Sequence, residues 1–335
     1  MKLSVYKDNL AAGRGADIAV KNFAAEMARR GHAVNLFDRD GFADGIACPA
    51  DVMVVAGSNE LVEIAGRHPQ SFPWPVVLQL HIHPRALFKK DFLRYRKWRF
   101  NRTLRQALLR VAVIQVLLPG HVDELKRLLG VRCPRIVVIG NAVPRQEAAC
   151  ADIEYRPVIL YPAAIQLRLK RQDLLVKAFA RIAKDFPDWQ IHLYGRGKDE
   201  AKLARLIRRL CVAGQVVTKG YGDLAEAYRT CSFVAFTSVR EGFPLTIIEA
   251  AQYRKPSISC TPCMESVIRS GKTGCLTGDR IEELMIALRE MMSSPDRIAA
   301  LGAAAAADVR ERFAFDVIGS RWEDLLASLA GRSCA

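Results

Sequence analysis

Three observations predict an α/β fold of two doubly wound, Rossmann-like domains facing across a cleft. Short apolar runs recur with little polar alternation, as in strands buried on both faces. Helical patterns separate most of them, which implies parallel sheets. The whole scheme then repeats after a polar stretch without period, residues 141–156, which contains Pro144. At 335 residues the chain is long enough for two ordinary cores. The boundaries read as an N-terminal domain over 1–145, a linker over 146–156, a second domain over 157–315 and a terminal helix over 316–335.

The elements follow in order. Apolar runs at 3–6, 33–37, 52–56, 76–80, 111–117 and 135–139 read as the strands of the first domain. Patterns of helical period lie between most of them, for example at 16–30 and 122–129. In the second domain, strands are expected at 158–161, 190–194, 215–218, 233–237 and 257–259. Helices are expected at 174–186, 199–210, 224–229, 244–253 and 281–292. Ligands of such sheets bind at the carboxyl ends of the strands.

Composition narrows the class. Half of the residues are hydrophobic and a quarter are charged, a globular balance. No apolar run approaches the roughly 18–20 residues of a membrane span. The chain opens on a strand-like segment, so no signal-peptide layout is expected. Nine cysteines at irregular spacing read as reduced thiols of a cytoplasmic protein, the pair Cys260 and Cys263 included. The net charge is +15, and residues 1–150 carry 23 basic against 13 acidic side chains. A basic surplus implies an anionic partner.

The richest segment is Glu241-Gly242-Phe243-Pro244-Leu245-Thr246-Ile247-Ile248-Glu249. Pro244 suits the first position of a helix, where its missing N–H is not needed. The free N–H groups of that helix start favour an anion such as phosphate. One carboxylate before the anion and one beyond it match the layout of a nucleotide-sugar: sugar, diphosphate, ribose. This segment resembles the E-x7-E motif of retaining glycosyltransferases with the GT-B fold, especially family 4. Further resemblances come in family order: Gly13-Arg14-Gly15-Ala16-Asp17, Asn141-Ala142-Val143-Pro144, Lys170-Arg171-Gln172-Asp173, Tyr194-Gly195-Arg196-Gly197 and Gly271-Lys272-Thr273-Gly274.

The resemblance implies roles. Glu241 meets the donor sugar and Glu249 the ribose. Lys170 stabilises the leaving diphosphate. Gly242, Phe243, Pro244 and Leu245 offer backbone to sugar and phosphate. Gly13, Arg14 and Gly15 cradle phosphate from the first domain, and Gly195 and Arg196 lie near the nucleotide. The family usually has an arginine about five residues before the lysine, where this chain has Ala164 and Ile165. Either Arg168 or Arg171 replaces it, or the pocket holds its phosphate differently. His81, at the end of a strand, is preferred over His83 as an active-site histidine. The terminal helix in this family often crosses back onto the first domain. Asp38-Arg39-Asp40 reads as a solvated turn, so no metal and no other cofactor is expected.

Between Arg85 and Arg110 stand ten basic side chains against Asp91 alone. On a helical wheel Phe88, Phe92 and Tyr95 share one face, while Leu93, Phe100, Leu104, Leu108 and Val111 share a roughly opposite one. Such a segment suits an anionic membrane surface, with Lys89, Lys90, Arg94, Arg96, Lys97 and Arg99 as contacts; the alternative is an ordinary solvated helix, or two short ones, with all its aromatics in the core. Nucleic acid is the rival anion, but no recognised motif accompanies the charge, so no nucleic-acid partner is expected.

The leading expectation is therefore a retaining, metal-independent glycosyltransferase of the cytoplasmic membrane face. It would use a nucleotide-sugar and a lipid-linked or cell-surface glycan acceptor, in lipopolysaccharide or polysaccharide assembly. A transferase for soluble acceptors, a nucleotide-sugar epimerase of the same fold and a non-catalytic anion-binding module stay open.

Overall fold

The computed structural model describes residues 1–10, 15–43, 50–88, 94–143 and 153–330. The chain divides into two units, residues 1–144 with 313–335, and residues 145–312.

The first unit begins with β1 (Lys2–Tyr6), α1 (Gly15–Arg29), β2 (Ala33–Phe37), α2 (Arg39–Ala43), β3 (Val52–Val55), α3 (Ser58–Arg67) and β4 (Val76–Leu80). It continues with α4 (Arg94–Leu108), β5 (Val113–Val116), α5 (Gly120–Leu129) and β6 (Arg135–Val138). All pairings are parallel, in the order β2-β1-β3-β4-β5-β6. β3, β4 and β5 are buried along their whole length. Continuous apolar runs such as Val-Met-Val-Val tolerate this because helices cover both faces.

The second unit holds β7 (Val158–Pro162), α6 (Leu167–Lys170), α7 (Gln172–Ala180), β8 (Gln190–Tyr194), α8 (Glu200–Arg209), β9 (Val216–Gly220) and α9 (Leu224–Thr230). Then follow β10 (Phe233–Phe236), α10 (Leu245–Gln252), β11 (Ser257–Ser259), β12 (Gly274–Leu276), α11 (Ile281–Met292) and α12 (Pro295–Phe313). The sheet is parallel, in the order β12-β11-β10-β7-β8-β9. That is the doubly wound order 3-2-1-4-5-6 when read from β9, with the reversal between β7 and β10.

The last helix, α13 (Phe315–Ala330), belongs to the first unit. Trp322 is buried on Phe23 of α1, with ring centroids 4.6 Å apart. Arg30 binds Asp316 O at 2.8 Å and pairs with Glu323. A side chain at Gly319 would strike the Arg30 guanidinium, so a glycine lets that side chain cross the helix.

The elements not expected include α2, which opens where a solvated turn was read at Asp38-Arg39-Asp40, and the four-residue α6, besides β12 and α12. β12, of Gly, Cys and Leu, opens on a glycine, a poor strand former, directly after the turn at 271–273. α12 is rich in alanine, so its buried stripe, which includes Ile298, Leu301, Ala305, Val309 and Phe313, stands out weakly from its other faces. Gly302 lets α12 approach the Arg254 carbonyl closely. Two expected helices need correction. The one beginning at 174 starts at Gln172 and ends at Ala180, followed by a 3-10 turn at Ala183–Asp185. The helix placed at Pro244 starts at Leu245, with Pro244 as its N-cap.

Candidate functional site

β7 and β10 meet at the order reversal, where doubly wound sheets bind ligands. The chain leaving β7 reaches Lys170 at the end of α6, and the chain leaving β10 reaches Glu241. Lys170 Nζ donates to Glu241 Oε1 at 2.6 Å, and the two side chains are 20% and 15% exposed. The Val239 N–H donates to Leu169 O at 2.8 Å, so the two loops are tied by their backbones as well.

Glu241 precedes α10, whose N-terminus no side chain caps. Phe243 and Pro244 are buried, while Gly242 and Leu245 are partly exposed. Cation, open helix start and partly exposed glycine together suit an anion. Glu249, inside the same helix, accepts a hydrogen bond from the Tyr228 hydroxyl at 3.2 Å. Burial raises the Glu249 pKa, and the Tyr228 hydrogen bond opposes that rise.

The position five residues before Lys170 carries no cation, because Ile165 is fully buried in the core of the second unit. Arg168 is exposed, and Arg171 pairs with Asp279 at 2.8 Å. Gly195 and Gly197 have a structural task. A side chain at either would strike the backbone of residues 163–165, and the Ile165 N–H donates to Arg196 O at 3.1 Å. Arg196 itself is exposed. Asp199 was not singled out in the sequence; its carboxylate accepts from the Leu167 N–H at 3.0 Å and fixes the start of α6.

Arg171 joins α6 to α7 in the left-handed region, at φ 52° and ψ 40°. A non-glycine residue there costs about 1–3 kcal/mol and persists where its surroundings over-determine it. Here Tyr161 and Thr237, also not singled out earlier, hold the carbonyls of Lys170 and Arg171. The only trace of Thr237 in the sequence is a hydroxyl closing the run Phe233-Val234-Ala235-Phe236.

In the first unit, Gly13 and Arg14 lie outside the described residues, and Gly15 opens α1. His81 follows β4. Its Nε2 stands 3.3 Å from Gln79 Oε1, and its buried Nδ1 has no partner. The ring lines a cavity with Gln79, Gln115, Asn141 and Trp322, with about 30 Å³ for water centres. That is room for a few waters at most. His83 instead faces Glu124 at 3.2 Å. Lys7, just after β1, is buried between Asp8 and Glu60.

Burial pushes the His81 pKa down to about 4, helped by the charge of Lys7 and opposed by Asp17. The unfolded chain therefore takes up this proton first. The contribution is intact above the ordinary value near 6.5 and is lost as pH falls from there to about 4. The loss is of order 3 kcal/mol. Denaturant midpoints between pH 7 and 4 should fall less steeply for His81→Asn than for wild type; equal slopes would contradict this.

The basic segment is not one continuous helix. A 3-10 turn occupies Pro84–Ala86, and among the described residues α4 runs from Arg94 to Leu108. Leu104 and Leu108 enter the core, and Phe100 packs against it. Phe88, expected on the opposite face, packs on the same core with Arg105 4.4 Å above its ring. Lying before α4, Phe88 is free of the helical wheel's constraint. Trp98 is 56% exposed, beside an exposed Arg99. Arg94, Arg96 and Lys97 lie on the α4 backbone; Lys89, Lys90, Phe92 and Leu93 fall outside the described residues.

Residues 156–294 match the family Glycosyl transferases group 1. The match covers about two-fifths of the chain and contains Lys170, Glu241 and Glu249. A lipopolysaccharide 1,6-galactosyltransferase of Salmonella typhimurium is 25% identical over 49% of this chain and 48% of its own length. An exopolysaccharide phosphotransferase of Streptomyces coelicolor is 27% identical over 62% of this chain but only 22% of its own length. The chain thus spans at most about half of these curated relatives. Among solved structures, Anabaena HepE with UDP and glucose superimposes with a TM-score of 0.78 at 17% identity, over 98% of this chain and all of that one. The architecture is therefore that of the GT-B glycosyltransferases, two parallel-sheet Rossmann-like domains.

Proposed function

We propose that this chain is a retaining glycosyltransferase of family 4. It moves a hexosyl group from a nucleoside-diphosphate sugar to a lipid-linked or cell-surface glycan acceptor at the cytoplasmic membrane face. The observation that carries the reading is the Lys170–Glu241 pair at the mouth of α10, inside the group 1 match. When a donor binds, Lys170 turns from Glu241 to the diphosphate and Glu241 is released toward the sugar. Glu249 holds the ribose, and Gly242 to Leu245 lend backbone N–H groups, Pro244 excepted. Arg168 or Arg171 supplies further positive charge, with Gly195 and Arg196 beside the nucleotide. These cationic and dipolar groups meet the leaving group's charge without a metal. His81, Gly13, Arg14 and Gly15 are assigned to the active site on the family resemblance.

The names of the Salmonella and Anabaena proteins support a glycan acceptor and a nucleotide-sugar donor. Thermal stabilisation by a panel of nucleotide-sugars tests the donor. At 100 times the dissociation constant a ligand adds about 2.7 kcal/mol, roughly 5–10 °C for a unit of this size. A panel without any shift would remove the reading. The anomeric configuration of the product, followed by NMR, tests retention.

Among the described residues no helix is long and apolar enough to cross a membrane. Membrane contact is assigned to Lys89, Lys90, Arg94, Arg96, Lys97 and Arg99, flanked by the exposed Trp98. Anionic vesicles should sediment the protein at low salt and release it at high salt. Arg99→Gln should weaken binding about fivefold, since each basic residue contributes about 1 kcal/mol. Equal binding to neutral vesicles would contradict this.

A further inference from the structure

We infer that Tyr161 and Thr237 are positioning residues that set where the Lys170 ammonium stands. The inference rests on the reading of Lys170 given above. Tyr161 lies on β7, and Thr237 directly follows β10, the neighbouring strand. Both side chains are fully buried. The Tyr161 hydroxyl donates to Lys170 O. The Thr237 hydroxyl lies 2.7 Å from Arg171 O and 2.9 Å from Lys170 O. The Thr237 N–H donates back to the Tyr161 hydroxyl at 3.3 Å, which fixes the direction of the Tyr161 proton.

Two consecutive carbonyls are thus held by two hydroxyls from the two strands of the switch point. A four-residue helix such as α6 does not hold itself in place. Arg171, in its left-handed conformation, cannot relax while its carbonyl is held. The same strand end leads through Val239, bonded to Leu169, to Glu241. The cation and the carboxylate therefore share one buried frame. A buried tyrosine and threonine that only satisfied each other would need no contact with the Lys170 backbone.

The test is a mutant cycle in transfer kinetics. Thr237→Val keeps shape but removes the hydroxyl, Thr237→Ser keeps the hydroxyl, and Tyr161→Phe keeps the ring. Thr237→Val should lower kcat about tenfold with donor KM changed less than about twofold, as expected for a misplaced transition-state contact. Thr237→Ser should stay within about twofold of wild type. In a Lys170→Ala background, Thr237→Val should cost nothing further. Tyr161→Phe should lower kcat in the same sense and gives the same readout should Thr237→Val fold poorly. A crippled Lys170→Ala beside a fully active Thr237→Val and Tyr161→Phe overturns this inference alone. So does a second tenfold loss in the Lys170→Ala background. A fully active Lys170→Ala overturns the reading of Lys170 and this inference with it.

Discussion

Lys170→Ala is expected to lower the rate of sugar transfer by about 10²–10³-fold while leaving the fold almost untouched. The two effects separate because they have different sources. In the absence of donor, Lys170 forms a part-exposed ion pair with Glu241. Pairs near solvent contribute roughly 0–1 kcal/mol to stability. The melting temperature should therefore move by no more than a few degrees. In the transition state the same ammonium faces charge growing on a leaving diphosphate, in surroundings that screen it less. A preorganised contact of that kind is worth roughly 3–4 kcal/mol. Lys170→Arg should recover part of the rate, since charge is kept and geometry is not. Glu241→Ala should show a comparable loss of rate, again with little change in melting. Transfer assays alongside thermal melts measure both quantities. If Lys170→Ala retains transfer within about threefold of wild type, the site has been placed on the wrong residues.

Trp322→Ala should act in the opposite way, with a large loss of stability and no chemistry. Trp322 is 4% exposed and packs on Phe23, while Ile318, Leu325, Leu326 and Leu329 bury the rest of the α13 stripe. Truncating a buried tryptophan costs about 3–5 kcal/mol, since neighbouring groups refill the space only in part. For a unit of this size that is roughly 10 °C in melting temperature. The ion pairs of Arg29 and Arg30 with Asp316 and Glu323 are partly exposed and should contribute less than this packing. Denaturant titration of Trp322→Ala decides the matter; a change under about 1 kcal/mol would mean that α13 is held mainly by its charges.

Sheets and helices were legible because buried parallel strands leave continuous apolar runs. The strands at 33–37, 76–80, 190–194 and 257–259 were placed to the residue. What stayed hidden had a physical reason. α12 presents alanine on several faces, and β12 opens on a glycine directly after a turn. Glu241 could be named because a carboxylate beside glycine and proline is conspicuous, and Lys170 because its loop resembles the lysine loop of the family. Tyr161 and Thr237 could not, since their hydroxyls act on carbonyls that no sequence pattern marks. The pairing of Lys7 with Glu60 is likewise a long-range event, 53 positions apart in the chain. The absence of an arginine near Ile165 was visible in the sequence, but that Ile165 fills the core was not.

Placing α13 on the first sheet's unit has an outcome for biosynthesis. Its resting place on α1 is finished early, whereas the helix itself emerges only after residues 145–312 have been made. At about 5–20 residues per second that wait is roughly ten to thirty seconds. Throughout it, the patch around Phe23 and Met27 stands bare on the nascent chain. The amino-terminal half is thus the first to begin folding and the last to be completed, and a ribosome that stalls before residue 315 leaves behind a sticky, unfinished protein.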